Sequence, residues 1–305
     1  MMNNHLALQA TQLPRSAGIG ASWMQFWFTP ADSRPLAMVR VLSASVALLL
    51  WWSYLADLQA WLGPEGVLPT EMVVQWRLNG GFSLFDFARS AVAVWVLFGI
   101  TGACFLLLLC GLCTSLVALL AAIFWASLML AAPMLAGPAD DCLAVLLWCL
   151  AIGPAGHYFS IDRWLSLRGG QPIVMPSWRA TIALGLLQVH ASVISGAMLL
   201  AQLKGDVWWD GSAAWWLAVR SESPLMDVRG ALAQSDYLMN ALTHSITLFE
   251  ILFAIGLWIT PLRPIVAKAG LLAWPLIGIL AGEPLWGLTM AIFAVPSCSS
   301  RSASA

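Results

Sequence analysis

No charged residue occurs between Ala91 and Ala139, and this run limits the possible folds more than any other feature of the sequence. It is more than twice the roughly 20 residues that one helix needs to cross a hydrocarbon core of about 30 Å. Unpaired backbone cannot face lipid, so the run is expected to fold back near Gly111, within Cys110-Gly111-Leu112-Cys113, as a hairpin of two membrane helices. The rest of the chain agrees. Of 305 residues 60% are apolar, and 14 Lys and Arg with 15 Asp and Glu make only 10% charged. A soluble domain of this length needs roughly a quarter charged residues to wet its surface. Mean hydropathy is +0.82, which excludes a disordered chain. A formal net charge of -1 offers phosphate backbones no basic face, so nucleic acid is not an expected partner. The expected fold class is therefore all-α: a polytopic integral membrane bundle, with the lipid bilayer as its first partner.

Measured against the bilayer, the sequence offers spans at Leu36–Ala56, Ser90–Cys110, Thr114–Leu135, Cys142–His157, Arg179–Leu200, Ala241–Thr260 and Ile265–Gly282. An eighth, Leu285–Pro296, is short and follows Glu283-Pro284, as a re-entrant or tilted segment would. Seven to eight helices are thus expected. With a cytoplasmic N-terminus, the inner segments hold Arg15, Arg34, Arg163, Arg168, Arg179, Arg263, Lys268 and Arg301 against only Asp32 and Asp162. The outer segments hold five basic residues against twelve acids. That asymmetry follows the enrichment of Lys and Arg in cytoplasmic loops.

Three regions are expected: an N-terminal segment 1–30, a transmembrane domain 31–296 and a Ser/Ala-rich flexible tail 297–305. No cleavable signal pattern precedes the first span. Instead Trp23 to Pro30 carries aromatic rings suited to the headgroup level. Two outer loops, between the first two spans and from Ala201 to Asn240, contain most of the aromatic and acidic residues outside the spans, and loops of that length are where binding groups gather.

Glu250 lies in the middle of its expected span, about 15 Å deep at about 1.5 Å per residue. A bare carboxylate there would cost several kcal/mol, so it must be protonated or paired. At about 100° per residue, Asn240, Thr243, His244, Thr247 and Glu250 fall within an arc of about 120°. The stripe reads either as helix-to-helix hydrogen-bond glue or as the wall of a water-filled pocket. His190 has nearly the depth of Glu250, so depth permits a pair, but Gln188, Ser192 and Ser195 occupy the opposite side of its helix, and a histidine satisfied locally in the bundle is the plainer account. Arg40, just inside the inner edge, either snorkels to headgroups or faces inward as partner to an acid. The six cysteines read as small hydrophobes. The CxxC at Cys110 and Cys113 falls at the inner hairpin, where a disulfide-forming enzyme of the envelope would not have it. The sequence has no zinc pattern, P-loop, GxSxG or dinucleotide fingerprint, and no metal centre is expected.

Four features stand in order along the chain: Arg40; Leu62-Gly63-Pro64-Glu65-Gly66-Val67-Leu68-Pro69; Phe82-Ser83-Leu84-Phe85; and His157-Tyr158-Phe159-Ser160-Ile161-Asp162-Arg163, with its Ser-x-Asp-Arg. Taken together they resemble the HTTM (horizontally transferred transmembrane) family, which includes the membrane part of the vitamin K-dependent gamma-carboxylase. The segment from Gln202 to Ala213 resembles the family's K-L-x-G-x-x-W-x-x-G-x-A motif, and Glu250 resembles an acid of a later helix. In the carboxylases the resemblance implies a vitamin K quinol, deprotonated by the lysine of that motif, whose oxygenation yields a strong base. Here Gln202 stands at the lysine position and cannot act as a base. Lys204 could replace the lysine only through a local shift in register. The lumenal region of the carboxylases has no counterpart here, so carboxylation is not expected. Without the resemblance, the same motif reads as Trp208 and Trp209 anchoring an interfacial loop, Asp210-Gly211 turning, and Ser212 capping a short helix from Ala213 to Val219.

The expectation is a bacterial inner-membrane protein with a pocket open to the outer face. Arg40, Gln202, Trp208, Asp210, Gly211, Asn240 and Thr247 would line it. Glu250, His190, His244 and Lys204 are the candidates for handling protons. Its ligand would be a lipid, a quinone as possible cofactor, or a segment of exported peptide. The alternative is a non-catalytic scaffold that holds another membrane protein through Trp-rich outer loops. A proton-coupled transporter lacks the internal repeat it would need.

Overall fold

The computed structural model describes residues 19–67, 70–77, 81–170, 174–220 and 225–298. Expectations for the first 18 residues, for Leu68 and Pro69 and for the tail beyond Cys298 lie outside them. In chain order the helices are α1 (Ile19–Phe28), α2 (Arg34–Ser53), α3 (Leu58–Leu62), α4 (Thr70–Trp76), α5 (Ala91–Cys110), α6 (Thr114–Ala131), α7 (Pro138–Ile152) and α8 (Ile161–Arg168). They continue as α9 (Trp178–Gln202), α10 (Asp206–Trp209), α11 (Ala213–Arg220), α12 (Arg229–Gln234), α13 (Asp236–Gly256), α14 (Arg263–Leu280) and α15 (Pro284–Ala294). Among the described residues extended pairing is confined to one isolated bridge, Ala31 with Ser177. The molecule is all-helical, as expected.

Six of these helices, α2, α5, α6, α9, α13 and α14, are long and apolar enough to cross a membrane. Their outward faces carry large apolar side chains in the open, among them Leu49, Leu106, Leu116, Val193, Leu248 and Leu272. A surface of that kind suits lipid and would aggregate in water. The expected Cys142–His157 span is realised as α7, which starts earlier and has 15 residues. Pro138 opens it, and the buried Asp140 accepts the Gly137 amide at 2.7 Å, holding a carboxyl at the helix N-terminus.

The hairpin at Gly111 forms as expected. Gly111 is left-handed (φ 71°), and the Leu112 and Gly111 amides bond back to Leu107 and Leu108 O at 3.1 and 3.2 Å. This is a Schellman stop, which uses the terminal carbonyls of α5. Cys113 offers α6 no side-chain cap. Asp162 supplies one from a distance, accepting the Cys113 and Thr114 amides at 2.8 Å each and the Thr114 hydroxyl at 2.7 Å.

The short eighth segment forms a helix packed within the bundle. α15 has 11 residues and is buried from Thr289 through Ala294. It packs against α14, α7, α2 and α9. Its neighbours are protein, so it does not need the length of a lipid-facing span. Close approach to α14 depends on glycine: a Cβ on Gly278 would come within 2.8 Å of Gly287 Cα. At the end that carries α3 and α4, Arg77 is clamped to Asp86 (Nη1 to Oδ2 2.5 Å, Nη2 to Oδ1 2.7 Å) and donates from Nε to Leu130 O at 2.7 Å. This bidentate pair ties the first long loop to the end of α6, and the bond from Arg77 holds the Asp86 carboxyl below the usual range.

The bundle thus has two ends. The hairpin end holds the Gly111 turn, α8 and the α13–α14 connection, and the loop end holds α3, α4 and α10 to α12.

Candidate functional site

α13 begins at Asp236, where the Ser235 side chain accepts the Leu238 amide, and closes at Gly256. That is several residues earlier at both ends than the expected Ala241–Thr260. Glu250 therefore lies closer to the C-terminal end of its helix than to the start. It is 1% exposed. Its partner is Gln202, the last residue of α9, whose Nε2 donates to Glu250 Oε2 at 2.5 Å. Thr247 reaches the other amide atom, donating to Gln202 Oε1 over a long 3.5 Å, and also bonds back to Thr243 O at 3.3 Å. Among the described residues no cation pairs with this carboxyl.

The rest of the stripe connects the helix to the long loop. The buried Thr243 hydroxyl donates to Gly211 O at 2.8 Å and accepts the Ala214 amide at 2.9 Å, so one side chain fixes both the turn and the start of α11. The Asp210-Gly211 turn forms as expected. Asp210 Oδ1 accepts the Ser212 amide at 2.8 Å; the Ser212 side chain first, and then this amide, lower the affinity of the Asp210 carboxyl for a proton, and Gly211 is left-handed at φ 80°. A Cβ at Gly211 would overlap Asn240 Oδ1, so glycine is required twice over. Asn240 itself donates to Asp236 O at 2.9 Å. Trp208 is partly buried against the core, and α11 runs as the expected short helix.

Gln202, Gly211, Asn240, Thr243, Thr247 and Glu250 therefore converge, while four other candidates do not join them. His190 sits half-buried with Nδ1 at 2.8 Å from Leu186 O on its own helix, the locally satisfied arrangement, and the pair with Glu250 that depth permitted does not form; Gln202 takes that place. The inward face of α9 is the opposite one, where Gln188 donates to Leu257 O at 2.9 Å and Ser195 to Ala191 O at 2.9 Å. His244, at the edge of the arc, is exposed. Lys204 is exposed too, so no register shift brings it to Glu250. Arg40 belongs to the other end of the bundle. It does not snorkel: it is 0% exposed, and its Nη2 donates to Phe159 O at 2.5 Å.

The Gln202 to Glu250 bond had a signal in the sequence. Thr181, Gln188, Ser195 and Gln202 recur every seven residues on α9, and all four are buried. A heptad of polar residues inside an apolar helix marks the face that seeks partners on its neighbours. Two cavities lie elsewhere. One is a small apolar crevice between Tyr54, Leu58, Trp61 and Leu128, and the other a polar cleft at the hairpin end. Neither is lined by Glu250 or Gln202. Among the described residues no group of His, Cys, Asp and Glu could hold a metal ion. No family model, curated protein or solved structure matches the chain.

Proposed function

We propose that this chain is a bacterial inner-membrane protein related to the HTTM family, whose Glu250 carries a proton for a ligand that arrives from the loop end. The observation that carries the reading is the Glu250 carboxyl, 1% exposed and held at 2.5 Å by a neutral amide rather than by a cation. Such an acid can exist in apolar surroundings without a counter-ion only as the neutral group, and a neutral acid can donate or exchange a proton. Gln202, at the position where the resembled motif has lysine, turns what would be an ion pair into a neutral hydrogen bond. This removes the quinol-deprotonating base that the resemblance implies and leaves an acid. The ligand classes that suit such a site are a lipid, a quinone or a segment of exported peptide, modified or matured at the outer face.

In this reading the N-terminus and the hairpin end are cytoplasmic, α7 completes a seventh crossing, and α15 lies within the protein. Arg34, Arg163, Arg168, Arg179, Arg263 and Lys268 at the hairpin end, against Asp32 and Asp162, support that orientation. A second reading, a scaffold for another membrane protein, draws support from Trp209, Trp216, Leu225 and Tyr237, all more than half exposed around the loop end.

Mass spectrometry of small molecules extracted from gently purified protein tests the two together. A quinone or lipid retained by the wild type and lost in Glu250→Gln, with accumulation unchanged, is the expected result. A stoichiometric protein partner with no bound small molecule would favour the scaffold. Loss of accumulation together with ligand would reduce Glu250 to a packing role.

A further inference from the structure

A second polar site lies at the opposite end from Gln202 and Glu250. A cleft of about 460 Å³ opens between the start of α6, α8 and the start of α9, lined among others by Ser115, His157, Asp162, Arg163, Ser166 and Arg179. Its one acid is already engaged, since both Asp162 oxygens accept from the N-terminus of α6. Arg179 uses Nε on Ile152 O at 3.2 Å, at the C-terminal end of α7, one of five guanidinium donors. His157 holds the Ser33 hydroxyl at 3.2 Å. Burial, followed by the charges of Arg163 and then Arg179, lowers its affinity for a proton. The cleft therefore combines two guanidinium groups, hydroxyls and one carboxylate whose oxygens are already hydrogen-bonded. Its volume falls in the range of small-molecule sites and has room for an anionic group.

We propose that this cleft binds a phosphate group, with Arg163 and Arg179 as its cationic arms. Guanidinium forks match tetrahedral oxyanions. The cleft also opens at the ends of two long apolar helices, the level at which a bilayer presents its headgroups. The same chemistry is offered by an anionic phospholipid headgroup and by free phosphate.

The test titrates full-length protein in neutral detergent with inorganic phosphate, with phosphatidylglycerol and with zwitterionic phosphatidylcholine, each read by native mass spectrometry. At least one anionic probe is expected to bind the wild type more tightly than phosphatidylcholine, and Arg163→Gln or Arg179→Gln to weaken it roughly tenfold. Ser166→Trp narrows the cleft, keeps both arginines and replaces an exposed residue whose hydroxyl bonds only along its own helix, to Asp162 O. It should weaken binding as well, and it answers the question if an arginine variant fails to fold. Arg168→Gln removes a charge stacked on Trp164 at 3.7 Å, outside the cleft, and should change little. Binding of phosphatidylglycerol alone assigns the site to a lipid headgroup, and binding of inorganic phosphate assigns it to the phosphate itself. Anionic probes held no better than phosphatidylcholine, or Arg168→Gln as damaging as Arg163→Gln, would overturn the proposal.

Discussion

Replacing Gln202 by leucine takes from Glu250 the one side-chain donor that reaches it among the described residues, and the size of the effect follows from burial. The two residues are 9% and 1% exposed, so water cannot replace the lost bond. Orphaning a buried polar group costs about 1–3 kcal/mol. Measured couplings between helices in membranes average about 0.6 and reach about 1.7 kcal/mol. A 2.5 Å bond between two buried groups belongs near the top of that range. A double-mutant cycle of Gln202→Leu and Glu250→Leu, followed by unfolding in mixed micelles, should therefore give a coupling energy of about 1–2 kcal/mol, with the double variant more stable than the sum of the singles implies. Glu250→Gln keeps an amide in contact with an amide and should fall within about 1 kcal/mol of wild type. Additive effects of the two leucine variants, with coupling under about 0.3 kcal/mol, would refute the pairing. Stability lost in Glu250→Gln as severely as in Glu250→Leu would refute the view that the acid is neutral.

Three other outcomes follow from the geometry. Gly211→Ala forces a side chain into the left-handed region and onto Asn240, and should lower stability by about 1–2 kcal/mol and speed proteolysis of the 203–240 loop. Because Arg77 holds the Asp86 carboxyl low, this pair stabilises the fold fully above the ordinary aspartate range. Its contribution fades as pH falls through the folded value, so wild type should lose stability below about pH 4. Arg77→Ala should cost about 3 kcal/mol at neutral pH and flatten that acid limb in thermal melts. Gly278→Val, which drives a side chain into Gly287, should separate α14 from α15 and abolish accumulation, whereas Gly196→Ala, with open space around it, should not.

The large features of this fold were legible because the bilayer imposes them. A charge-free run from Ala91 to Ala139 allows little besides a hairpin, and Gly111 was the residue in it suited to a left-handed turn. The Asp210-Gly211 turn and the helix after it were equally plain, since their chemistry is local. What depended on one helix's rotation against another was harder to read. Helical spacing correctly placed Thr243, Thr247 and Glu250 on one face, but equal depth could do no more than permit His190 as a partner, since depth carries no information about which way a side chain points. The side of α9 that carries Gln188 and Ser195 turned out to face inward, and its heptad extends to Gln202. α15 was legible as a short apolar run but not as a packed one: the protein that surrounds it is contributed by α14, α7, α2 and α9, which its own sequence does not name. Arg40 could be placed near an edge, but its burial depends on Phe159 and the Gly111 turn, more than 70 residues away in sequence.

Infrared difference spectroscopy bears most directly on the neutral, inward-facing acid. The spectrum of wild type minus Glu250→Gln, in protein reconstituted in lipid at neutral pH, should contain the carbonyl stretch of a protonated carboxylic acid. That band should shift when the loop end is exposed to deuterium oxide. A carboxylate pair of bands in its place, or a carbonyl band that deuterium never reaches, would contradict the account.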